Sequence, residues 1–316
     1  MRMLQIIIRS IRINSQICII YLMLVHIKNI VKQAKAGGYC VGAFNVTNFE
    51  SVLAVAQAAV KYRSPAIIQV SESAVNYMGL KPVTHLVSTV AKNIAATVPI
   101  ALHLDHGQSF NVISECINAG FTSVHIDASS LPLDENINLT KQIVKLAHSR
   151  GVWVQGEVGA IAGGHGNLSG KLKKIPQAKF EEIVEFVRQT KVDTIAAAIG
   201  TAHGVYQNED INFVLLKKIK QAVAKPFVLH GGSGIAGEKI KRAIKMGVNI
   251  INIGSDIKIA FCQTLINACA KNKKETDPRN LLKPTIEAIA KVVGAKMKLF
   301  GSANKVSPEN LSDWKN

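Results

Sequence analysis

The sequence predicts an α/β fold, a (β/α)8 TIM barrel with an additional C-terminal helix. Eight short runs rich in β-branched residues recur along the chain, and a stretch of helical period follows each run. The runs are almost continuously apolar, which is typical of parallel strands covered on both faces. A doubly wound dinucleotide-binding fold is the alternative, but no G-x-G-x-x-G follows the first run.

The elements alternate in a fixed order from residue 41 onward. The predicted strands are 41–46, 66–71, 100–106, 123–128, 152–158, 194–200, 227–230 and 249–253. The predicted helices that follow them are 50–62, 83–97, 109–118, 139–149, 180–190, 211–223, 237–246 and 256–271, and 284–300 is the additional C-terminal helix. The pattern therefore predicts one barrel domain over residues 23–316.

Residues 1–22 are predicted to be an N-terminal extension outside the fold. Arg9 and Arg12 interrupt the apolar stretch. The uninterrupted apolar run that remains is too short to cross a membrane. An amphipathic segment, 27–36, begins after Met23. We therefore expect the working protein to start near Met23.

The composition excludes a disordered chain, because 48% of its 316 residues are hydrophobic and 19% are charged. The net charge of +17 favours anionic partners such as phosphorylated metabolites. The basic residues form no strip interleaved with aromatic residues, so we expect neither a nucleic-acid nor a membrane partner. Five cysteines without a C-x-x-C pair indicate reduced thiols and a cytoplasmic protein.

Polar residues stand at the carboxyl ends of the predicted strands, where a barrel carries its active site. His106, His203 and His230 end strands 3, 6 and 7, and three imidazoles with one open position are typical of catalytic Zn2+. Asp127 and Glu157 end strands 4 and 5 and are candidates for a second metal position or for hydrogen bonds to rim amides. His103 and His125 lie within strands and are interpreted as core or supporting groups.

Two further features of the rim indicate proton transfer and phosphate binding. Asp105 precedes a candidate ligand, and both side chains can reach the site only where the strand bends, which we attribute to Gly107. Glycine-rich turns follow strands 7 and 8, where barrels commonly bind phosphate. These turns are 231–234 and 254–255.

These segments resemble the class II, metal-dependent fructose-bisphosphate aldolases and the similar tagatose-bisphosphate aldolases. The resemblance rests on GAFN at 42–45, HLDHG at 103–107, FTSVHID at 121–127, AAIGTAHG at 197–204, VLHGGSG at 228–234 and the tail at 278–302. It implies zinc ligation by the three histidines, proton transfer by Asp105 and a second divalent site at Asp127 and Glu157. It also implies a monovalent cation, and dihydroxyacetone-phosphate contacts from Gly204, Gly231, Ser233, Gly254 and Ser255. Asn252 matches a residue of the family that lies beside the enediolate.

The sequence departs from this family in and after the fifth strand. The family usually reads Glu-x-Glu there, whereas this chain has Gln155 in place of the first acid. The loop 159–178 contains no acid, and the family's loop glutamate falls at His165, or at Gly166 if the alignment shifts by one. Either His165, with an ordinary pKa near 6.5, is the base, or proton abstraction is impaired.

The resemblance implies reversible aldol cleavage of fructose 1,6-bisphosphate by a cytoplasmic homodimer or homotetramer. Two alternatives remain open, which are tagatose 1,6-bisphosphate as the substrate and a catalytically impaired barrel that binds metal and phosphate. A Schiff-base aldolase is disfavoured, because none of the eight predicted strands contains a lysine.

Overall fold

Eight parallel strands close into a barrel in the computed structural model, which describes residues 24–161, 169–170, 175–206 and 209–314. The strands are β1 (Val41–Asn45), β2 (Ala66–Ser71), β3 (Ile100–Gly107), β4 (Ser123–Ile126), β5 (Trp153–Val158), β6 (Thr194–Ala197), β7 (Phe227–Leu229) and β8 (Val248–Ile253). Each strand pairs with its neighbour along the chain, and β1 closes the barrel by pairing in parallel with β8. The predicted fold class is therefore confirmed.

Helices surround the barrel and alternate with its strands. They are α1 (Ile27–Ala36), α2 (Phe49–Lys61), α3 (Glu72–Met78), α4 (Leu80–Asn93), α5 (Phe110–Ala119), α6 (Leu133–Ser149), α7 (Phe180–Thr190), α8 (Phe213–Ala222), α9 (Gly237–Lys245), α10 (Ser255–Lys271) and α11 (Pro278–Leu299). The amphipathic segment predicted at 27–36 is α1. Among the described residues, no helix has the length and apolarity that crossing a bilayer requires.

The barrel strands are buried almost throughout, as their continuous apolar pattern predicts. All six residues of β8 and all four of β4 are inaccessible to solvent or nearly so. The strands are thus held by packing on both faces, with about 1.5–3 kcal/mol contributed by each large apolar side chain that is fully buried. This leaves the strand ends as the place where polar side chains can gather.

Two helices begin six residues earlier than the sequence predicts. Helix α6 begins at Leu133, not at 139, because its first turn is polar and is stabilised by Asp134 and Glu135 at the positive end of the helix dipole. Helix α11 begins at Pro278 with Asp277 as its N-cap, and Pro284 lies inside it. Apolar periodicity is a poor guide to such polar or proline-containing first turns.

The additional C-terminal helix, α11, packs against α10 and α2 on the outside of the barrel. Gly294 allows this close approach, since a Cβ there would collide with the ring of Tyr62. Lys298 lies 5.0 Å from the centre of the same ring. The helix thereby covers the outer surface of the barrel beside α2 and α10.

The N-terminal segment contacts the barrel at the amino end of β3, where the Val25 amide donates to the carbonyl of Ile100 over 2.8 Å. The extension predicted over 1–22 lies outside the described residues, so its separation from the fold stays a prediction.

Candidate active site and metal centre

A cleft of about 660 Å³ opens at the carboxyl ends of the strands, where the sequence predicts the active site. The predicted site residues that line it are Asp105, His106, Asp127, Glu157, His203, Gly204, Gly231, Ser233, Asn252, Gly254 and Ser255. His230 is buried and contacts the ring of His203. His165 lies outside the described residues, so its role as the base is untested.

The three predicted histidines come together at the mouth of the barrel. The ring centre of His106 lies 4.8 Å from that of His203 and 4.9 Å from that of His230. The Nε2 atom of His203 and the Nδ1 atom of His230 are 3.4 Å apart. Ring nitrogens from residues distant in sequence therefore meet in one small volume.

A local backbone distortion brings Asp105 and His106 to the same site. His106 has a φ of 49°, in the left-handed region that residues with a Cβ seldom adopt. The pairing of β3 with β4 shifts register between Leu104 and Gly107, as in a β-bulge. The bend was predicted to depend on Gly107, whereas the residue with the left-handed backbone is His106 itself.

Gly107 has a different function, which is to allow close packing. A Cβ at this position would lie 2.9 Å from the carbonyl oxygen of His125 and 2.8 Å from the side chain of Ile113. The glycine thus lets β4 and α5 approach the bulge.

Asp127 orients the first histidine of the cluster. Its Oδ2 atom lies 2.6 Å from Nδ1 of His106, and its Oδ1 atom accepts a hydrogen bond of 2.7 Å from the Ser129 hydroxyl. Because the Nδ1–H group donates to Asp127, the lone pair of a neutral His106 is on Nε2. A carboxylate that holds a histidine in this way is typical of metal sites.

Glu157 faces the histidines with an unsatisfied oxygen. Its Oε2 atom is buried without a hydrogen-bond partner among the described residues and lies 3.8 Å from Nδ1 of His230. Burial and the neighbouring Asp127 raise the pKa of Glu157 to about 8. An unpaired oxygen at this depth is costly unless a proton or a cation satisfies it.

His125, which is predicted from the sequence to be a core or supporting group, also lies in the cluster. Ligand atoms of Asp105, His106, His125 and His230 lie within 4.8 Å of one another, and so do those of His106, His125, Asp127 and Glu157. Nδ1 of His125 accepts from the backbone N–H of His106 over 3.2 Å. Its Nε2 therefore carries the proton, 3.6 Å from Glu157, and this tautomer favours the supporting role.

The charge distribution suits a bound cation. Burial, with a further contribution from His106, lowers the pKa of His203 to about 3, and burial brings that of His230 well below its ordinary value. Burial opposes protonation of His106, but Asp105 and Asp127 outweigh it and raise its pKa to about 10. The surrounding carboxylates thus favour positive charge at His106, while burial favours the neutral, ligand form of the other two imidazoles.

Asp105 is held by side-chain amides. Its Oδ2 atom accepts a hydrogen bond of 2.7 Å from Asn45 and a longer one from Gln69, and Nδ2 of Asn252 lies 3.5 Å from Oδ1. Burial would raise its pKa, but the nearby His106 and the contact with His125 hold the pKa well below its ordinary value. The group is therefore a carboxylate that is fixed in orientation and open to the cleft.

The wall of the cleft at β7 and β8 is built to accept a small anion. Gly231 has a φ of 67° and packs on the backbone of Ala202, where a Cβ would collide. Ser233 is buried in the loop that follows β7. Ser255 is buried after β8 and is the first residue of α10. Hydroxyl groups and a helix N-terminus are typical ligands of phosphate.

The donor set fits a divalent metal ion. Ligand atoms of His106 and His230 lie within 4.8 Å of each other, and Nε2 of His203 lies 3.4 Å from Nδ1 of His230. The unpaired oxygen of Glu157 lies 3.8 Å from the same Nδ1. Imidazole and carboxylate groups are ligands of catalytic transition-metal sites. These features define a TIM barrel with a candidate metal centre beside an anion site.

Comparisons with known proteins identify the family. The family model for class-II fructose-bisphosphate aldolase matches residues 25–305. The chain is 41% identical to the fructose-bisphosphate aldolase of Geobacillus stearothermophilus and 39% identical to the 6-phospho-5-dehydro-2-deoxy-D-gluconate aldolase of Bacillus velezensis. These alignments cover 90% and 91% of this chain and 99% of each relative.

A solved aldolase structure also resembles this chain. The YdjI aldolase from Escherichia coli K12 superposes with a TM-score of 0.77 at 32% identity, over 90% of this chain and 100% of that chain. This chain belongs to the class II fructose-bisphosphate aldolase family, whose members are metal-dependent aldehyde-lyases.

Proposed function

We propose that this protein catalyses the reversible aldol cleavage of fructose 1,6-bisphosphate to dihydroxyacetone phosphate and glyceraldehyde 3-phosphate. The convergence of His106, His203 and His230 beside a pocket lined by serine and glycine carries this proposal. The pocket holds the candidate metal centre and the proposed phosphate site side by side. In a ketose phosphate, a single carbon separates the ketone from the phosphate oxygen, so one substrate can contact both sites.

Zn2+ is the proposed metal, held by Nε2 of His106, Nε2 of His203 and Nδ1 of His230. When bound, it acts as a Lewis acid that stabilises negative charge developing on the substrate oxygens. Asp127 and Glu157 are the proposed ligands of a second divalent position. A monovalent cation near the phosphate is proposed from the family resemblance.

Asp105 is the proposed proton acceptor for the C4 hydroxyl during cleavage. Its carboxylate is held open to the cleft by Asn45 and Gln69, so it is oriented before the substrate arrives. It returns the proton to the same oxygen in the synthetic direction. Asn252, which lies within 3.5 Å of Asp105, borders the carbon skeleton of the substrate.

Backbone and hydroxyl groups of the β6, β7 and β8 loops are the proposed ligands of the phosphate next to the ketone. They belong to Gly204, Gly231, Ser233, Gly254 and Ser255. His165 is the proposed base for the carbon-bound proton of dihydroxyacetone phosphate. The competing possibility is a barrel that binds metal and phosphate but is impaired in proton abstraction.

Two other substrates share the proposed half-site. Tagatose 1,6-bisphosphate differs only at C4. The relatives named 6-phospho-5-dehydro-2-deoxy-D-gluconate aldolase support a second candidate, whose name places a phosphate beside a ketone and a carboxylate at the far end. The far end is a phosphate in the two bisphosphates and a carboxylate in the third substrate, so the far side of the cleft separates the third from the other two. Contacts to the C4 hydroxyl separate the two bisphosphates.

Turnover of all three substrates, with and without a chelator, tests the proposal. We expect cleavage of fructose 1,6-bisphosphate that is lost with the chelator and restored by Zn2+. Preferred cleavage of another substrate would reassign the activity, and metal binding without any turnover would establish the impaired barrel.

A cytoplasmic location is proposed from the four described cysteines, which are free thiols. A homodimer or homotetramer is proposed from the family resemblance.

A further inference from the structure

The back of the His230 ring contacts a buried amide that the proposed reaction does not use. Gln155 lies on β5, is 2% exposed, and places its amide nitrogen 2.8 Å from Nε2 of His230. The opposite ring nitrogen, Nδ1, faces His203 at 3.4 Å and Glu157 at 3.8 Å. The ring is thus held between a candidate metal centre and a neutral side chain.

The hydrogen-bonding capacity of the ring limits how Gln155 can bind it. A neutral imidazole carries one proton, so a lone pair on Nδ1 requires N–H at Nε2. The other amide near Nε2 belongs to Asn252, whose nitrogen lies 3.3 Å away and also lies 3.5 Å from Asp105. That nitrogen is a donor and cannot accept the proton of the ring.

Gln155 can accept it through its carbonyl oxygen. A half-turn of the amide group exchanges its nitrogen and oxygen without changing its shape, and it brings Oε1 to Nε2 of His230. The Nε2–H group then has an acceptor in a place that solvent does not reach. Without this acceptor the buried N–H would be unsatisfied, and the other tautomer would be favoured.

We infer that Gln155 is a positioning residue that fixes His230 in the tautomer with its lone pair on Nδ1, turned toward the metal. This inference rests on the proposed metal role of His230. A histidine whose second nitrogen is held in this way binds metal more tightly, because its tautomer and orientation are set in advance.

The neutrality of Gln155 also limits the affinity for metal. A carboxylate at the same place would accept the same hydrogen bond and make the imidazole a stronger donor. It would add a fourth acid to Asp105, Asp127 and Glu157 around one buried centre. The amide therefore holds the ring in place without increasing the negative charge that the metal-free protein must bury.

The test is the Zn2+ dissociation constant, measured by chelator competition on the full chain. Gln155→Leu keeps the bulk but has no acceptor, and we expect it to weaken Zn2+ binding by about 10- to 100-fold. Gln155→Glu keeps an acceptor, and we expect Zn2+ binding at least as tight as that of the wild type. Gln189→Leu, on the outer helix α7, is the control and should leave the constant unchanged.

The ring nitrogens of His230 give a second readout that needs no variant to fold. Nitrogen NMR of the metal-free wild type should show the proton on Nε2, and a proton on Nδ1 would overturn the inference. Zn2+ binding by Gln155→Leu that is as tight as that of the wild type would also overturn it, as would equal weakening by Gln155→Glu. Wild-type protein that binds no divalent metal would reject the proposed metal site itself, and the inference with it.

Discussion

At the scale of single residues, Asp105 depends on its neighbours for its charge and its direction. The amides of Asn45 and Gln69 donate to one of its oxygens, and His106 lies 3.7 Å from the other. An amide at this position would occupy the same space but could not accept a proton.

We predict that Asp105→Asn lowers kcat by about 10²- to 10⁴-fold, which is the usual contribution of a positioned acid or base. The Zn2+ content should be retained, since the three imidazoles are unchanged. Steady-state kinetics and metal analysis of the same preparation provide the check. Near-normal turnover would contradict the role of Asp105.

His165 makes a separate prediction, because it is assigned to a different proton. We expect His165→Ala to slow the exchange of the carbon-bound proton of dihydroxyacetone phosphate while substrate binding is retained. Release of tritium from labelled dihydroxyacetone phosphate measures this step alone. If that release is unaffected, His165 is not the base.

At the scale of elements, the anion site at the start of α10 depends on an ion pair with α11. Asp256 lies in the first turn of α10, and its Oδ2 atom is 2.7 Å from Nζ of Lys296. Both side chains are largely buried. The backbone N–H of Asp256 lies 3.3 Å from the hydroxyl of Ser233, which borders the proposed phosphate site. An unneutralised Asp256 would repel a phosphate bound there.

We predict that Lys296→Met raises the KM for the phosphorylated substrate by about tenfold, because breaking the pair leaves a buried negative charge near the phosphate. The double variant Lys296→Met with Asp256→Asn should bind the substrate nearly normally. Binding of inorganic phosphate to each variant measures the same effect without chemistry. If the double variant is as impaired as the single one, the ion pair only joins the two helices.

Helix α1 provides a pH-dependent element that lies away from the site. His26 is its N-cap, where Nδ1 accepts from the N–H of Lys28 over 3.0 Å and Nε2 contacts the carbonyl of Gly151. Burial lowers the pKa of His26 from 6.5, so the folded state prefers the neutral ring. This contribution to stability is full above pH 6.5 and is lost as the pH falls through the lowered pKa.

We therefore predict that this group lowers the free energy of unfolding on acidification from about pH 7 to about pH 5. His26→Asn keeps a good N-cap without a titratable ring. The difference between the two proteins in chemical denaturation isolates the effect from other titrating groups. Parallel pH profiles would show that the cap does not titrate.

At the scale of the whole molecule, the repeat of strand and helix could be predicted because each barrel strand is short, apolar and buried. The ends of elements were less predictable where polar contacts set them. The predicted strand 194–200 ends at Ala197, and the chain then turns at Gly200, which has a φ of 99°. Helix α3 was not predicted, because seven residues contain too few turns for an apolar stripe.

Site residues that lie at strand ends could be predicted from the sequence. Features that depend on contacts between strands distant in sequence could not. Alternation placed His125 on the same side of its strand as Asp127, and that signal went unused. The left-handed backbone of His106 has no signature in sequence, because a bulge depends on the pairing of two strands. The contact of Gln155 with His230 spans 75 residues and appears only in three dimensions.

The account depends on three imidazoles binding one divalent ion at the mouth of the barrel. Metal analysis of purified wild type and of His230→Ala, after dialysis against the same trace of Zn2+, tests it most directly. We predict at least one tightly bound Zn2+ per wild-type chain, and loss of both that ion and turnover in the variant, whose fold is checked by circular dichroism. A folded His230→Ala protein that retains the wild-type metal content would contradict the account.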